Sequence, residues 1–327
     1  MKICIVGGTG NISQSIVRLL LEQGHEIICF NRGQTTKAPE GVRVIHGDRH
    51  NRADFEQKMQ AEKFDAAIDM ICFNAEDAAS SLRAFRGVGW FVQTSTTCTY
   101  GIQYDYFPSD ETHPLRPTTD YARNKVAADD AYLEAYHREK FPCIIIKPST
   151  TYGPVQGILR QVCWDFSWID RVKKGKPILV CGDGNALHQH LHVDDIAKAF
   201  VGVIGKKHTI GQTYNAVNRG YITWADYHSL AAKILGKEVE LIGVPFADLK
   251  QLNIPNFGIC EDEFAYNAYY SSEILFRDVP EFHPQVSLEE GMAQVFEVME
   301  REGRIPNSDE LKWEDEIIEK QKRVSNS

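Results

Sequence analysis

Apolar and polar positions in the first half of the chain follow two alternating rhythms. Short continuous apolar runs occur at 3–6, 26–30, 42–45, 66–70, 90–93 and 143–147, and stretches with helical spacing separate most of them. Continuous apolar runs mark strands buried on both faces, and strands alternating with helices predict βαβ units around a parallel sheet. Residues 11–23 fit a first helix, with Ile12, Ile16, Leu19 and Leu20 on one face and Gly24 placed to end it in the left-handed conformation. The pattern predicts an α/β fold built on a Rossmann-like, doubly wound parallel sheet.

After Pro154 the rhythm loosens. Helical patterns at 160–174, 193–204, 224–235 and 288–300 alternate with short strands at 178–181, 213–216 and 239–244, which predicts a smaller α+β C-terminal cap for substrate binding. The expected division is 1–154 for the nucleotide-binding domain, with part of its sheet completed by later segments, 155–306 for the cap, and 307–327 for a peripheral helix and tail. Acids open that last helix and bases close it, an order that complements the helix dipole.

Composition narrows the partners. The 327 residues include 45 Asp plus Glu against 36 Lys plus Arg, a formal charge of −9, which argues against a nucleic-acid partner because phosphate binding needs a basic surface. No apolar run approaches the ~20 residues of a membrane span, and the N-terminus enters a strand without a signal-peptide pattern. Eight cysteines are scattered without zinc-like spacing, several of them inside apolar runs. These features predict a cytoplasmic protein that binds neither membrane nor metal. The three histidines of LHQHLH, His188, His190 and His192, lack an accompanying Cys or carboxylate at ligand spacing. His192 is expected at a helix entry, with His188 and His190 facing a substrate cleft.

The segment IVGGTGNIS places Gly7 and Gly10 between a strand and a helix, the arrangement in which a backbone turn receives a pyrophosphate at a helix N-terminus. Ser13 stands where a third glycine is common. Gly7, Thr9, Gly10, Asn11 and Ile12 are the expected dinucleotide contacts there. At the end of the second strand the chain has Asn31 and Arg32 rather than an acid, which leans from NAD toward NADP. Asp48 is placed to accept from an adenine amino group, or to serve as an ordinary turn aspartate. Farther on, Tyr121 and Lys125 lie one turn apart on a long helix. An ammonium near a phenol favours its phenolate, so the pair suits a general base that takes a hydroxyl proton as hydride leaves the same carbon.

The ordered set GGTGNIS, TSTTCTYG, YARNK and KPSTTYGP resembles the extended short-chain dehydrogenase/reductases, the NAD-dependent epimerase/dehydratase family, and the likeness runs over roughly residues 1–300. It implies Tyr121 as acid/base, Thr96 as hydrogen-bond donor to the reacting oxygen, and Lys125 as the group that binds nicotinamide ribose and tunes Tyr121. Pro148 and Ser149 would line the nicotinamide. Thr97 and Cys98 stand where related dehydratases carry an Asp-Glu pair, which disfavours dehydration, and both are candidate substrate contacts. His188 occupies the place of an Arg that holds the diphosphate in nucleotide-sugar enzymes, and Glu261, Asp262 and Glu263 replace a second cationic site. The implied protein is an NAD(P)-dependent epimerase working on a secondary hydroxyl of a sugar or nucleotide-sugar, active as a homodimer through residues 75–85 and 122–136. The alternatives are a net dehydrogenase or reductase of a non-nucleotide carbohydrate or polyol, and a catalytically silent RNA-binding relative.

Overall fold

The computed structural model describes residues 1–34 and 38–325. The chain forms two compact units, one of residues 1–151, 191–218 and 270–285, the other of residues 152–190, 219–269 and 286–327. Residues 326–327 of the expected tail lie outside the described residues.

The first unit is built on β1 (Lys2–Val6), α1 (Asn11–Glu22), β2 (Glu26–Asn31), β3 (Arg43–His46), α2 (Arg52–Gln60), β4 (Ala66–Asp69), α3 (Ala75–Ala84), β5 (Trp90–Thr94), α4 (Asp120–Glu139) and β6 (Cys143–Pro148). Strand Thr213–Ala216 completes a seven-stranded sheet, in the order Thr213–Ala216, β6, β5, β4, β1, β2, β3, and every pairing is parallel. The continuous apolar runs are explained by the two-residue period of a strand. Ile3, Ile5, Ile27, Cys29, Ile68, Val92 and Ile144 face a layer containing Ile16, Val17 and Leu20 of α1 and Ile196 and Phe200 of helix Val193–Gly202. Cys4, Val6, Ile28, Phe30, Ala67, Phe91 and Cys143 face the other layer, built from α2, α3 and α4. Burial pushes the Cys29, Cys72 and Cys143 thiols up to about 12, so they pack as small hydrophobes. Among the described residues no disulfide joins the cysteines.

The first stretch of the first unit ends at residue 151, and the unit also takes in two later segments from within the expected cap of 155–306. Residues 191–218 return to the first unit, where helix Val193–Gly202 packs on α1 and strand Thr213–Ala216 pairs with β6 through Thr213 and Ile145. Residues 270–285 return as well. His192 accepts the Asp194 backbone N–H at 3.3 Å and caps the returning helix, as expected of a helix-entry residue.

The second unit has an aromatic core of Trp168, Trp224, Tyr227, Phe264 and Phe296. Its expected helix at 160–174 begins only at Ser167. The preceding residues instead bury polar side chains, and Gln161 accepts from the Cys181 N–H at 3.0 Å and donates to the Phe264 carbonyl at 3.2 Å. Arg160 and Arg171, 0% and 1% exposed, converge on Glu314 of helix Trp313–Ser325. Glu314 also accepts the Leu179 N–H at 2.8 Å. The C-terminal helix, expected to be peripheral, is therefore anchored in the unit by a buried carboxylate between two guanidinium groups. Among the described residues no helix is long and apolar enough to cross a membrane.

Candidate active site

The glycine turn forms one wall of a cavity of about 250 Å³ at the C-terminal ends of β1, β2 and β4. Gly7 has φ +84°, and a Cβ there would lie 2.8 Å from Ile71 Cγ2, while one at Gly8 would lie 2.2 Å from Cys29 Sγ. Only glycine satisfies the turn at Gly7 and the close approach of strands at Gly8. Ser13, in the place of the third glycine, has a specific task. Its hydroxyl accepts from the Gly10 N–H at 2.7 Å and donates to the Gly7 carbonyl at 2.8 Å, tying the two ends of the turn together.

Gly7, Thr9, Gly10, Asn31, Arg32 and Asp48 all line this cavity, so the structure brings together six of the predicted cofactor residues. Arg32 and Asp48 are exposed within it. One Asp48 oxygen accepts the His50 N–H at 2.9 Å, so the turn reading of Asp48 holds alongside its place in the wall. Asn11 opens α1, whereas the Ile12 side chain packs on the sheet core, which leaves its backbone as the part available to a ligand. A glycine-rich turn at a helix N-terminus, with polar side chains where a nucleoside would lie, fits a dinucleotide.

Lys125 is 1% exposed, and burial lowers its pKa. Its ammonium donates to the carbonyls of Cys72 at 2.8 Å and Thr94 at 2.7 Å, bridging the ends of β4 and β5. Tyr121, one turn earlier on α4, is 47% exposed, and its ring centroid lies 5.9 Å from the Lys125 nitrogen. The spacing predicts that the two side chains share a helix face, and the structure adds that the ammonium is buried and the phenol exposed. Behind them Lys147 donates to Asp129 at 3.0 Å and to Thr99 at 2.8 Å, while Ser95 donates to Asp129 at 2.5 Å. This buried set joins α4, β6 and the end of β5, and apolar patterning gave no hint of it.

Thr96, 7% exposed, caps the short turn Thr97–Tyr100 by accepting the Cys98 N–H at 3.2 Å. Thr97 is fully buried and donates to the Pro148 carbonyl at 3.2 Å. Its expected place in a substrate pocket is corrected, since the hydroxyl fastens the end of β5 to β6. Pro148 is buried in β6, and Cys98 is partly exposed.

His188 and His190 also depart from expectation. They do not face an open cleft but are 1% and 7% exposed in the aromatic core of the second unit. The His188 ring lies 5.0 Å from Trp224 and 4.8 Å from Phe264, and His190 stacks on Tyr227 at 4.6 Å. Burial pushes His188 down to about 3 and His190 well below the usual imidazole value. Both are neutral at physiological pH. Glu261 pairs with Lys250 at 2.8 Å. Among the described residues no cluster of His, Cys, Asp or Glu is arranged to hold a metal ion.

Two features of the site escaped the sequence reading. Arg49, 3% exposed, grips Asp69 at 2.9 and 3.0 Å and reaches the Asp77 carbonyl and Ser81 hydroxyl, bracing the loop between β4 and α3. That loop carries Phe73, which lines the cavity and whose ring centroid lies 4.7 Å from the Lys125 nitrogen. An aromatic residue just past a strand's C-terminal end, where such sheets bind ligands, was the available signal.

Residues 3–216 match the NAD dependent epimerase/dehydratase family. The chain belongs to this family. It is accordingly an enzyme of the NAD(P)-dependent, extended short-chain dehydrogenase/reductase type. The 2′-dehydrokanamycin reductase of Streptomyces kanamyceticus is 26% identical over 246 residues, covering 75% of this chain and 70% of that protein. The chloroplast stem-loop binding protein of 41 kDa b of Arabidopsis thaliana is 24% identical over 336 residues, covering 98% and 84%. Among solved structures, dTDP-glucose 4,6-dehydratase from Bacillus anthracis in complex with NAD superposes with a TM-score of 0.75 at 19% identity, over 93% of this chain and 98% of that one.

Proposed function

We propose that Thr96, Tyr121 and Lys125 interconvert a secondary hydroxyl and a ketone on a sugar-like substrate. The observation that carries this reading is the Lys125 ammonium, buried and held by two carbonyls one helical turn below the solvent-facing Tyr121. The nicotinamide supplies the hydride acceptor or donor when bound. Tyr121 takes or returns the hydroxyl proton, Lys125 favours the phenolate and holds a ribose hydroxyl, and Thr96 orients the substrate oxygen. Pro148 and the partly exposed Cys98 lie near the end of the strands that carry this set, and the scattered buried thiols suit a reducing, cytoplasmic setting.

An epimerase and a net reductase share these steps and differ in whether the cofactor leaves. Two observations favour net reduction of a non-nucleotide carbohydrate. His188, at the place of a diphosphate-binding Arg, is buried and neutral, and a neutral imidazole is a poor anion ligand. Arg32 is exposed in the cavity wall, where a 2′-phosphate would be met. The name of the kanamycin-linked relative agrees with that direction. The stem-loop binding relative points the other way, against the −9 charge and the Tyr121/Lys125 geometry.

Incubation of the protein with free NADPH or NADH and a panel of keto-sugars, followed by nicotinamide absorbance, tests the reading. Stoichiometric oxidation is expected, with NADPH preferred and that preference reduced about tenfold in Arg32→Ala, the loss of one charge-assisted contact. Sugar interconversion without net absorbance change would establish the epimerase instead. Two copies are proposed to associate through α3 and α4, whose small residues permit close helix approach, and light scattering of the purified chain tests this.

A further inference from the structure

Phe73 is exposed where a large aromatic ring would ordinarily be buried. The residue is 43% exposed, yet the loop that carries it is held by a series of hydrogen bonds. The Ile71 N–H donates to Asp69 at 3.1 Å, the Phe73 N–H donates to Asp77 at 3.0 Å, and Asn74 caps α3 by accepting the Asp77 N–H at 2.9 Å. Asp69 is itself held by Arg49 and, at 2.7 Å, by the Ser81 hydroxyl. A braced loop that presents a phenyl ring to the cavity is spending its rigidity on the position of that ring.

The ring has two neighbours that matter. It stands 4.7 Å from the Lys125 nitrogen, and it lines the cavity together with Gly7, Gly10 and Ile71. Lys125 commits two of its three N–H donors to the Cys72 and Thr94 carbonyls, and Cys72 immediately precedes Phe73. One donor remains. An ammonium beneath an aromatic face is attracted to it, and exclusion of water there strengthens the field of the charge on neighbouring groups. Tyr121 is such a neighbour, its ring 5.9 Å away.

We propose that Phe73 is a positioning residue for the hydride chemistry: its ring shields the Lys125 ammonium from water and reserves the remaining N–H for a ribose hydroxyl of the dinucleotide. The inference rests on the assignment of Lys125 and Tyr121 made above. It accounts for an exposed phenylalanine on a rigid loop, which packing alone leaves without a purpose.

Competitive acetylation of the folded protein with acetic anhydride, read by mass spectrometry of the Lys125 peptide across pH, separates access from electrostatics. The rate plateau reports access, and the midpoint reports the ammonium. In Phe73→Ala the plateau rises and, because regained hydration outweighs the lost attraction to the ring, the midpoint moves up toward the ordinary lysine value, while NADPH binding followed by fluorescence weakens about tenfold. Phe73→Leu, which restores an apolar cover, returns both readings toward the parent. Phe73 is an exposed residue, so neither variant empties the core. An unchanged Lys125 midpoint in Phe73→Ala, or Phe73→Leu behaving as Phe73→Ala, overturns the proposal. The labelling needs no turnover, so its failure is distinct from that of the catalytic assignment, which falls if Tyr121→Phe keeps full activity.

Discussion

At the scale of single residues, the glycine turn and the Tyr121/Lys125 pair make the sharpest demands. Gly7→Ala places a methyl 2.8 Å from Ile71 and forces an alanine to φ +84°. A cost of about 1–3 kcal/mol is expected, read as a lower thermal midpoint, together with loss of NADPH binding. Ser13→Ala removes the clasp between Gly7 and Gly10 and is expected to weaken cofactor binding with little effect on the melt, because α1 keeps its packing face. These positions were legible in the sequence because their chemistry is local: a turn needs glycine, and two side chains four apart share a helix face. Asp48 and Thr97 show where such reading stops. Residue type places Asp48 in a turn or in a pocket wall and the structure has it in both, whereas Thr97 is turned inward by a hydrogen bond to Pro148, 51 residues away.

At the scale of elements, the second unit combines three imidazoles with a buried ion-pair set. His188 and His228 are pushed down to about 3 by burial and His190 falls well below its usual value for the same reason, so all three are neutral when folded. Unfolded, each binds a proton below about pH 6.5. The unfolded chain therefore holds more protons than the folded one under acid conditions, and stability falls as pH drops from 6.5 toward the depressed folded values, about 3 for His188 and His228. With three groups the limiting slope is about 4 kcal/mol per pH unit. Thermal melts from pH 7 to pH 4.5 are expected to show this loss, and His190→Phe to lessen it by about a third. Glu314→Ala takes from Arg160 and Arg171 the carboxylate they share and leaves them only Asp165 at 3.7 Å and Asp315 at 2.8 Å, so a cost toward the lower end of about 3–5 kcal/mol is expected from denaturant unfolding of the unit. Neither feature could be read from the linear pattern. The order of charges in 308–323 suited a solvated helix, and only tertiary structure shows that Glu314 points inward to residues about 150 positions earlier.

At the scale of the whole molecule, the parallel sheet was legible as a class and its boundaries were not. Continuous apolar runs identified β1 to β6: burial on both faces leaves no polar alternation in the inner strands, while β3 is a half-buried edge strand. The run at 213–216 looks the same in sequence whether it joins the cap or the main sheet. Its pairing with β6 is a long-range choice, fixed by helix Val193–Gly202 packing on α1. The substrate was least legible, because its recognition depends on side chains whose burial the sequence does not encode locally, as His188 and His190 show. The first unit carries the glycine turn after β1 and the Tyr121/Lys125 pair on α4, and the second has a neutral, aromatic interior.

The most direct test is stoichiometric turnover by the parent chain and Tyr121→Phe, with NADPH and a panel of keto-sugars, under conditions where both are shown to bind NADPH equally. Loss of about 10²–10⁴-fold in turnover with cofactor binding retained is the expected result, in line with removal of a positioned general acid/base. Equal turnover by the two proteins would contradict it and would move the proton transfer to another residue.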